Sequence, residues 1–153
     1  MQHELMPVVY LKPGEYHVTK EPCRIETVLG SCVSVTLYCP ITRQAAMNHA
    51  MLPVGDDSDR FVTVSLDNML RRLSASGALI HQLEAKMFGG ANSFYRNTGG
   101  FRHVGELNVD ASLRWLEKNK IRLHNSDTGG RVGRKLVFLS NVGMVYVKRL
   151  QGR

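Results

Sequence analysis

Two side chains in this sequence can do nucleophilic chemistry if the fold brings them together. Cys32 follows a Gly30-Ser31 pair, and His49 lies in the apolar segment AMNHAML. A thiolate is a strong nucleophile only when something lowers its pKa or removes its proton, and a nearby imidazole is the usual means. Each residue has a plainer reading when taken alone. Free cysteine is among the most buried residue types and fits a strand as a small apolar side chain. A histidine among apolar neighbours is commonly a core residue satisfied by a backbone partner. The case for chemistry is relational: a glycine just before a nucleophile lets a substrate approach the backbone, and a titratable ring in an apolar segment is costly unless it has a partner.

The other candidates are weaker. The Gly89-Gly90 pair of FGGAN is either a tight turn after a strand or a source of backbone N–H groups turned toward a developing oxyanion. Cys23 and Cys39 lack the glycine-serine setting, and His3, His17, His81, His103 and His124 have no comparable cysteine context. No GxGxxG or GxxxxGK[ST] pattern is present. Three cysteines without CxxC spacing suggest neither a disulfide framework nor a structural zinc site, so the thiols are expected to be reduced.

Positioning falls to the flanking elements. Residues 1–15 carry Pro7, Pro13 and Gly14 and read as an extended lead-in with one edge strand in Met6 to Leu11. Tyr16 to Thr19 and Arg24 to Leu29 are expected strands, and Gly30-Ser31 breaks the second. From Cys32, Val33, Val35 and Leu37 alternate with Ser34, Thr36 and Tyr38, which is strand periodicity starting at the cysteine. After a turn at Pro40 to Arg43, Gln44 to Leu52 resumes an extended course with Met47, His49 and Met51 on one face. A hairpin of this length returns the second strand beside the first, toward the cysteine's end.

Further on, Ser58 or Asp59 is an expected cap for a helix whose core face is Val62, Leu66, Met69, Leu70 and Leu73, with Gly77 past its end. Leu83 to Phe88 is an expected strand, followed by an irregular segment to Leu107. Asn108 is the expected cap of a second helix running through Asn119, with Val109, Leu113 and Leu116 on one side. Ile121 to His124 reads as a short strand, Thr128-Gly129-Gly130 as a turn, and Lys135 to Leu139 with Met144 to Lys148 as a closing hairpin. Strand pairs separated by two helices predict an α+β fold: one domain over residues 1–153, a layered sandwich of mainly antiparallel β-sheets with two main helices packed on them.

With 153 residues, 43% hydrophobic, the chain is long enough to bury a core in one domain. The net charge of +7 favours an acidic partner without choosing among nucleic acid, anionic lipid and acidic protein. An aromatic content of 7% and the lack of a reading motif argue against nucleic acid. No basic leader followed by a long apolar run opens the sequence and no apolar stretch is long enough to span a bilayer, so the expectation is a cytoplasmic protein without membrane insertion.

LGSCV at 29–33, NHAMLP at 48–53, EAKMFGGAN at 84–92 and DTGGRVGRKLVF at 127–138, in this order and spacing, resemble the bacterial chemoreceptor glutamine deamidases of the CheD family from about Gly14 to the C-terminus. The resemblance implies a cysteine hydrolase that converts glutamine side chains of chemotaxis receptors to glutamate, without metal or organic cofactor. It matches Cys32 to the nucleophile, His49 to the general base and Thr27 to the third member of the triad, although a one-residue shift before LGSC would put Glu26 or Val28 there. Gly30, Ser31, Gly89 and Gly90 are then expected to support the oxyanion. Implied partners are the receptors' cytoplasmic helical region and a CheC-type phosphatase. Two departures stand out: Val104-Gly105-Glu106-Leu107-Asn108 lacks the basic residue of the family's I-G-x-R/K-N, and Ser65-Leu66 replaces a common alanine-methionine. The rival reading is a non-catalytic regulatory module that binds receptors or the phosphatase.

Overall fold

A computed structural model of the protein describes residues 5–92 and 102–151. Among these residues nine strands and two α-helices run in the order β1 (Val8–Tyr10), β2 (Tyr16–Thr19), β3 (Arg24–Leu29), β4 (Val33–Cys39), β5 (Gln44–Asn48), α1 (Val62–Ala75), β6 (Glu84–Gly89), α2 (Val104–Lys118), β7 (Arg122–Thr128), β8 (Arg134–Leu139) and β9 (Met144–Arg149). They form a four-stranded sheet ordered β1-β3-β8-β9 and a five-stranded sheet ordered β2-β5-β4-β6-β7. Pairing is antiparallel except for β1 with β3 and β6 with β7. The β6–β7 pair is parallel because α2 lies in the connection between them, as a parallel crossover requires. The expected α+β layering is what the chain adopts.

Side-chain alternation explains the three layers. In β4, Val33, Val35, Leu37 and Cys39 join a core with Leu66, Met69 and Leu73 of α1 and Trp115 and Leu116 of α2. The opposite face of the same sheet contributes Ala45, Met47 and Phe88 to a second core with Ile25 and Leu29 of β3 and Leu136 and Phe138 of β8. The five-stranded sheet is therefore the middle layer, covered by helices on one side and by the other sheet on the other. A central strand covered on both faces reads as a nearly continuous buried run, and β4 does so.

Local caps are where the structure departs from the expectations. Helix α1 begins after Phe61, with no side-chain cap. A parallel bridge between Leu52 and Phe61 fixes where the helix can start. Ser58 Oγ is spent on the Arg60 backbone N–H and guanidinium, and Asp59 accepts from Asn68. Helix α2 starts five residues earlier than expected, after His103 rather than Asn108, which puts Asn108 inside it. Its buried stripe is Gly105, Asn108, Ala111, Ser112, Trp115 and Leu116, whereas Leu113 is exposed. The expected strand at Ile121 to His124 extends as β7 to Thr128, where Asp127 binds Arg134 and Arg149. Gly77, with φ +104°, ends the first helix region as expected. The expected irregular segment before α2 falls mainly on residues 93–101, outside the described residues. Among the described residues no helix is long and apolar enough to cross a membrane.

Candidate functional site

The site lies at one end of the inner space between the sheets. Thr27 shares the inward face of β3 with Ile25 and Leu29 and is fully buried. His49 follows β5 and is 3% exposed. Its ring Nδ1 is 2.7 Å from Thr27 Oγ1. The same hydroxyl donates to the Leu11 carbonyl at 2.8 Å. A hydroxyl has one proton, so with that proton on Leu11 it accepts from His49. The imidazole is thereby fixed as the Nδ1–H tautomer, which leaves Nε2 as an unprotonated base. Neither Glu26 nor Val28 offers this: Glu26 pairs with Arg24 on the outer face, and Val28 is exposed.

The His49 backbone is held as firmly. Its N–H donates to Glu15 and its carbonyl accepts from Gly14, both in the segment leading into β2. On the other side, β5 pairs with β4 through Thr36↔Met47, and the pairing closes at an isolated Val33↔Ala50 bridge. Between these points the strands part, because the Val35 N–H bonds to the Asn48 side chain at 2.7 Å, and Asn48 in turn donates to Ser65 of α1. By this register Ser34 lies across from His49, and Cys32 lies across from Met51. Cys32 and His49 are thus diagonal neighbours on one face, positions about 7–8 Å apart in a regular antiparallel pair and within reach of a ring. The expected return of the second strand to the cysteine's end is what the Val33↔Ala50 bridge accomplishes. Cys32 itself sits one residue before β4, half-buried, whereas Cys23 and Cys39 are buried.

The glycines shape the entrance. Gly89, with φ +103°, ends β6 against the cysteine segment, and a Cβ there would come 2.3 Å from the Cys32 carbonyl oxygen. The Gly90 N–H donates to that carbonyl at 2.9 Å, and the Ala91 N–H donates to Gly30 at 3.0 Å. Gly90 thus spends its donor on holding the Cys32 backbone. The backbone N–H of Cys32 itself favours the thiolate and so pulls the thiol pKa down. Around Gly30 a Cβ would meet nothing within 4 Å, so this position is open. The Gly129-Gly130 turn locks over the same corner, with Gly129 N–H on Gly89 and Asn92 N–H on Gly130. Buried Arg134 donates to the Gly129 carbonyl at 2.7 Å beneath it.

Residues 51–149 match the family model described as CheD chemotactic sensory transduction. The chain is 42% identical over 151 residues to the probable chemoreceptor glutamine deamidase CheD 2 of Geobacter sulfurreducens, an alignment covering 97% of this chain and 94% of that protein. The chain belongs to the CheD family. It is also 41% identical over 145 residues to the probable chemoreceptor glutamine deamidase CheD 1 of Anaeromyxobacter dehalogenans, covering 93% of this chain and 84% of that protein. A third relative, the probable chemoreceptor glutamine deamidase CheD of Trichlorobacter lovleyi, is 37% identical over 144 residues, covering 92% of this chain and 89% of that protein. The CheD family model begins just beyond Cys32 and His49, whereas the alignment with the Geobacter protein spans them.

In this CheD-family chain, burial sets the resting protonation of the pair. Desolvation pushes the Cys32 thiol above its ordinary pKa, with the opposing pull of its own backbone N–H the smaller effect. Desolvation also lowers His49, which the Leu11 carbonyl and the Glu15 carboxylate only partly offset. Both shifts favour the neutral forms, the thiol and the imidazole. A cleft of about 370 Å³ opens beside the cysteine segment, lined by Gly30, Ser31, Ala91, Asn92, His103, Val104 and Gly105. Among the described residues no cluster of three His, Cys, Asp or Glu side chains could hold a metal ion.

Sequence reasoning missed Asn48 and Asn108. Both are fully buried amides bonded at the points where the His49 strand meets its neighbours. A signal for Asn108 exists: it shares a helical face with Ala111, Ser112 and Trp115, and a polar side chain on a core stripe needs a partner.

Proposed function

We propose that this protein is a cysteine hydrolase that deamidates glutamine side chains of chemotaxis receptors to glutamate. The observation that carries the reading is the Thr27 hydroxyl held between the Leu11 carbonyl and His49 Nδ1, at 2.8 and 2.7 Å, which leaves Nε2 as a base on the face that carries Cys32. Family membership and the printed names of the relatives, probable chemoreceptor glutamine deamidases, point to the substrate class.

In this mechanism His49 Nε2 takes the proton of the Cys32 thiol as sulfur attacks the glutamine carboxamide carbon. The carbonyl oxygen becomes a tetrahedral oxyanion. The Cys32 backbone N–H stabilises it, while Gly30, Ser31 and Gly89 keep the approach open and Gly90 holds the cysteine backbone. The C–N bond breaks, His49 returns its proton to nitrogen, and ammonia leaves a thioester. Water then loses a proton to the same imidazole and attacks the thioester; the C–S bond breaks, the imidazolium returns that proton to sulfur, and glutamate leaves the free thiol and neutral imidazole. Thr27 keeps the ring in the tautomer that both half-reactions use and stabilises the imidazolium formed in each.

The +7 charge suits an acidic receptor surface, and attraction of this kind weakens with salt. This reading places the protein in the cytoplasm, where receptor helices are accessible, and gives it a CheC-type phosphatase as a second partner. The test is mass spectrometry of receptor cytoplasmic fragments incubated with the purified protein. A gain of about one dalton per converted glutamine, the amide-to-acid difference, is expected with the native chain and absent with Cys32→Ala or His49→Ala. Deamidation that survives Cys32→Ala rules out the thioester route. A native chain that binds receptor fragments without changing their mass is a binding module instead.

A further inference from the structure

We propose that Asn108 is a positioning residue for the thiol and imidazole, the side chain that sets the spacing between the cysteine segment and the histidine segment. This rests on the deamidase reading only for its kinetic readout. Asn108 is fully buried in α2. Its Nδ2 donates to the Ser31 carbonyl at 3.1 Å and to the Met51 carbonyl at 3.0 Å. Ser31 immediately precedes Cys32, and Met51 lies two residues after His49. Both partners are acceptors, so the orientation of the amide is settled: nitrogen faces the two segments and oxygen faces away.

The location matters because backbone pairing has just ended. Val33 and Ala50 exchange their N–H groups at 3.0 and 2.9 Å as the last rung between the two segments. Beyond that rung, the Ser31 and Met51 carbonyls are joined through the two protons of one amide nitrogen. Helix α2 is itself fixed against the site, since a Cβ on Gly105 would lie 2.6 Å from the Gly90 carbonyl oxygen and 2.7 Å from that of Ala91. The Asn108 amide therefore reaches the two segments from a braced support, which is how a side chain can hold reacting groups to a fraction of an ångström.

The other end of the amide argues that geometry, rather than stability, is the role. Asn108 Oδ1 is buried and has no hydrogen-bond partner among the described residues. An unpaired buried acceptor is unfavourable, so an amide here is a poor choice for stability alone. It is a good choice for supplying two donors from one atom to two converging carbonyls. Serine or threonine offers one donor, and aspartate offers one only when protonated.

The experiment is a double-mutant cycle read on the alkylation rate of Cys32 with iodoacetamide, followed by peptide mass spectrometry, in native protein, Asn108→Ala, His49→Gln and the double variant. Positioning predicts that Asn108→Ala slows alkylation about tenfold and that His49→Gln then adds less than twofold, the mark of two residues acting as a unit. Effects that multiply would overturn the proposal. On receptor fragments, Asn108→Ala should lower kcat about 10- to 100-fold with KM changed less than threefold; an unchanged kcat would overturn it. Asn108→Asp covers the case in which alanine does not fold. It should keep part of the activity at low pH and lose it as the carboxyl ionises, adding a descending limb absent from the native profile, and a profile parallel to the native one would count against the proposal. Native protein that lacks deamidase activity but shows the alkylation coupling would refute the proposed function and leave the positioning role standing.

Discussion

Thr27→Val tests the site where its geometry is most definite. Valine is close to threonine in shape, so the substitution removes a hydroxyl from a fully buried position while leaving little cavity. Two groups lose their partner, the Leu11 carbonyl and the His49 Nδ1–H. An unsatisfied buried group costs about 1–3 kcal/mol, so the folded state should lose an amount on that order, with some recovered if Nδ1–H turns directly to Leu11. The kinetic effect has a separate origin. Nδ1–H belongs to a neutral ring at rest and to an imidazolium after proton transfer, and a hydrogen bond to a charged group contributes about 1.5–3 kcal/mol. The same bond already contributes about 0.5–1.5 kcal/mol to the neutral ring, so the difference is about 1–1.5 kcal/mol, and at about 1.4 kcal/mol per tenfold in rate kcat should fall on the order of tenfold. The assay is deamidation of a receptor fragment followed by mass spectrometry, with urea unfolding of the same preparation to separate activity from stability. Thr27→Ser, which keeps the hydroxyl, should retain most of the rate. Folded Thr27→Val with kcat within twofold of native, or Thr27→Ser as inactive as valine, would refute the assignment of the hydroxyl as the group that orients His49.

Two further predictions concern the same corner. Gly89→Ala should destabilise the fold and abolish activity, because φ is +103° and the new Cβ would press on the Cys32 carbonyl, whereas Gly30→Ala, into open space, should cost little stability; thermal melts and circular dichroism of the pair decide this. The third concerns pH. His49 has its folded pKa lowered by burial, so the unfolded chain binds the proton more readily, and the stability tied to its neutral form is complete above the ordinary histidine pKa of about 6.5 and drains away as pH falls through the lowered folded value. His17 is also lowered, by burial and by Arg72. The decisive quantity is therefore the difference between native protein and His49→Gln: the melting temperature of the variant should fall less steeply between pH 7 and 5, and parallel curves would show that His49 is not held neutral.

Much of the site was legible before any coordinates. The alternation Val33, Val35, Leu37 identifies β4, and the length of the hairpin returns His49 toward Cys32. What could not be read was the third layer. Leu11 sits in the expected lead-in and Thr27 in an expected strand, and nothing in their local pattern says that the four-stranded sheet lays them against the His49 ring. Caps failed for a related reason. Ser58, Asp59 and Asn108 are all good cap residues by local preference, but each found another hydrogen-bond partner, and the helices started where the flanking chain allowed.

The sequence by itself determines the elements, because the two-residue and 3.6-residue periodicities of burial are local properties of the chain. It also determines the family, through motifs dense enough to need no coordinates. Only the tertiary structure decides which tautomer His49 adopts, that burial favours the neutral forms of Cys32 and His49, and that a helix residue far along the chain bridges the two segments they stand on. Those outcomes depend on which buried donor meets which buried acceptor across the layers, and hydrogen-bond satisfaction between distant segments leaves no period in the sequence.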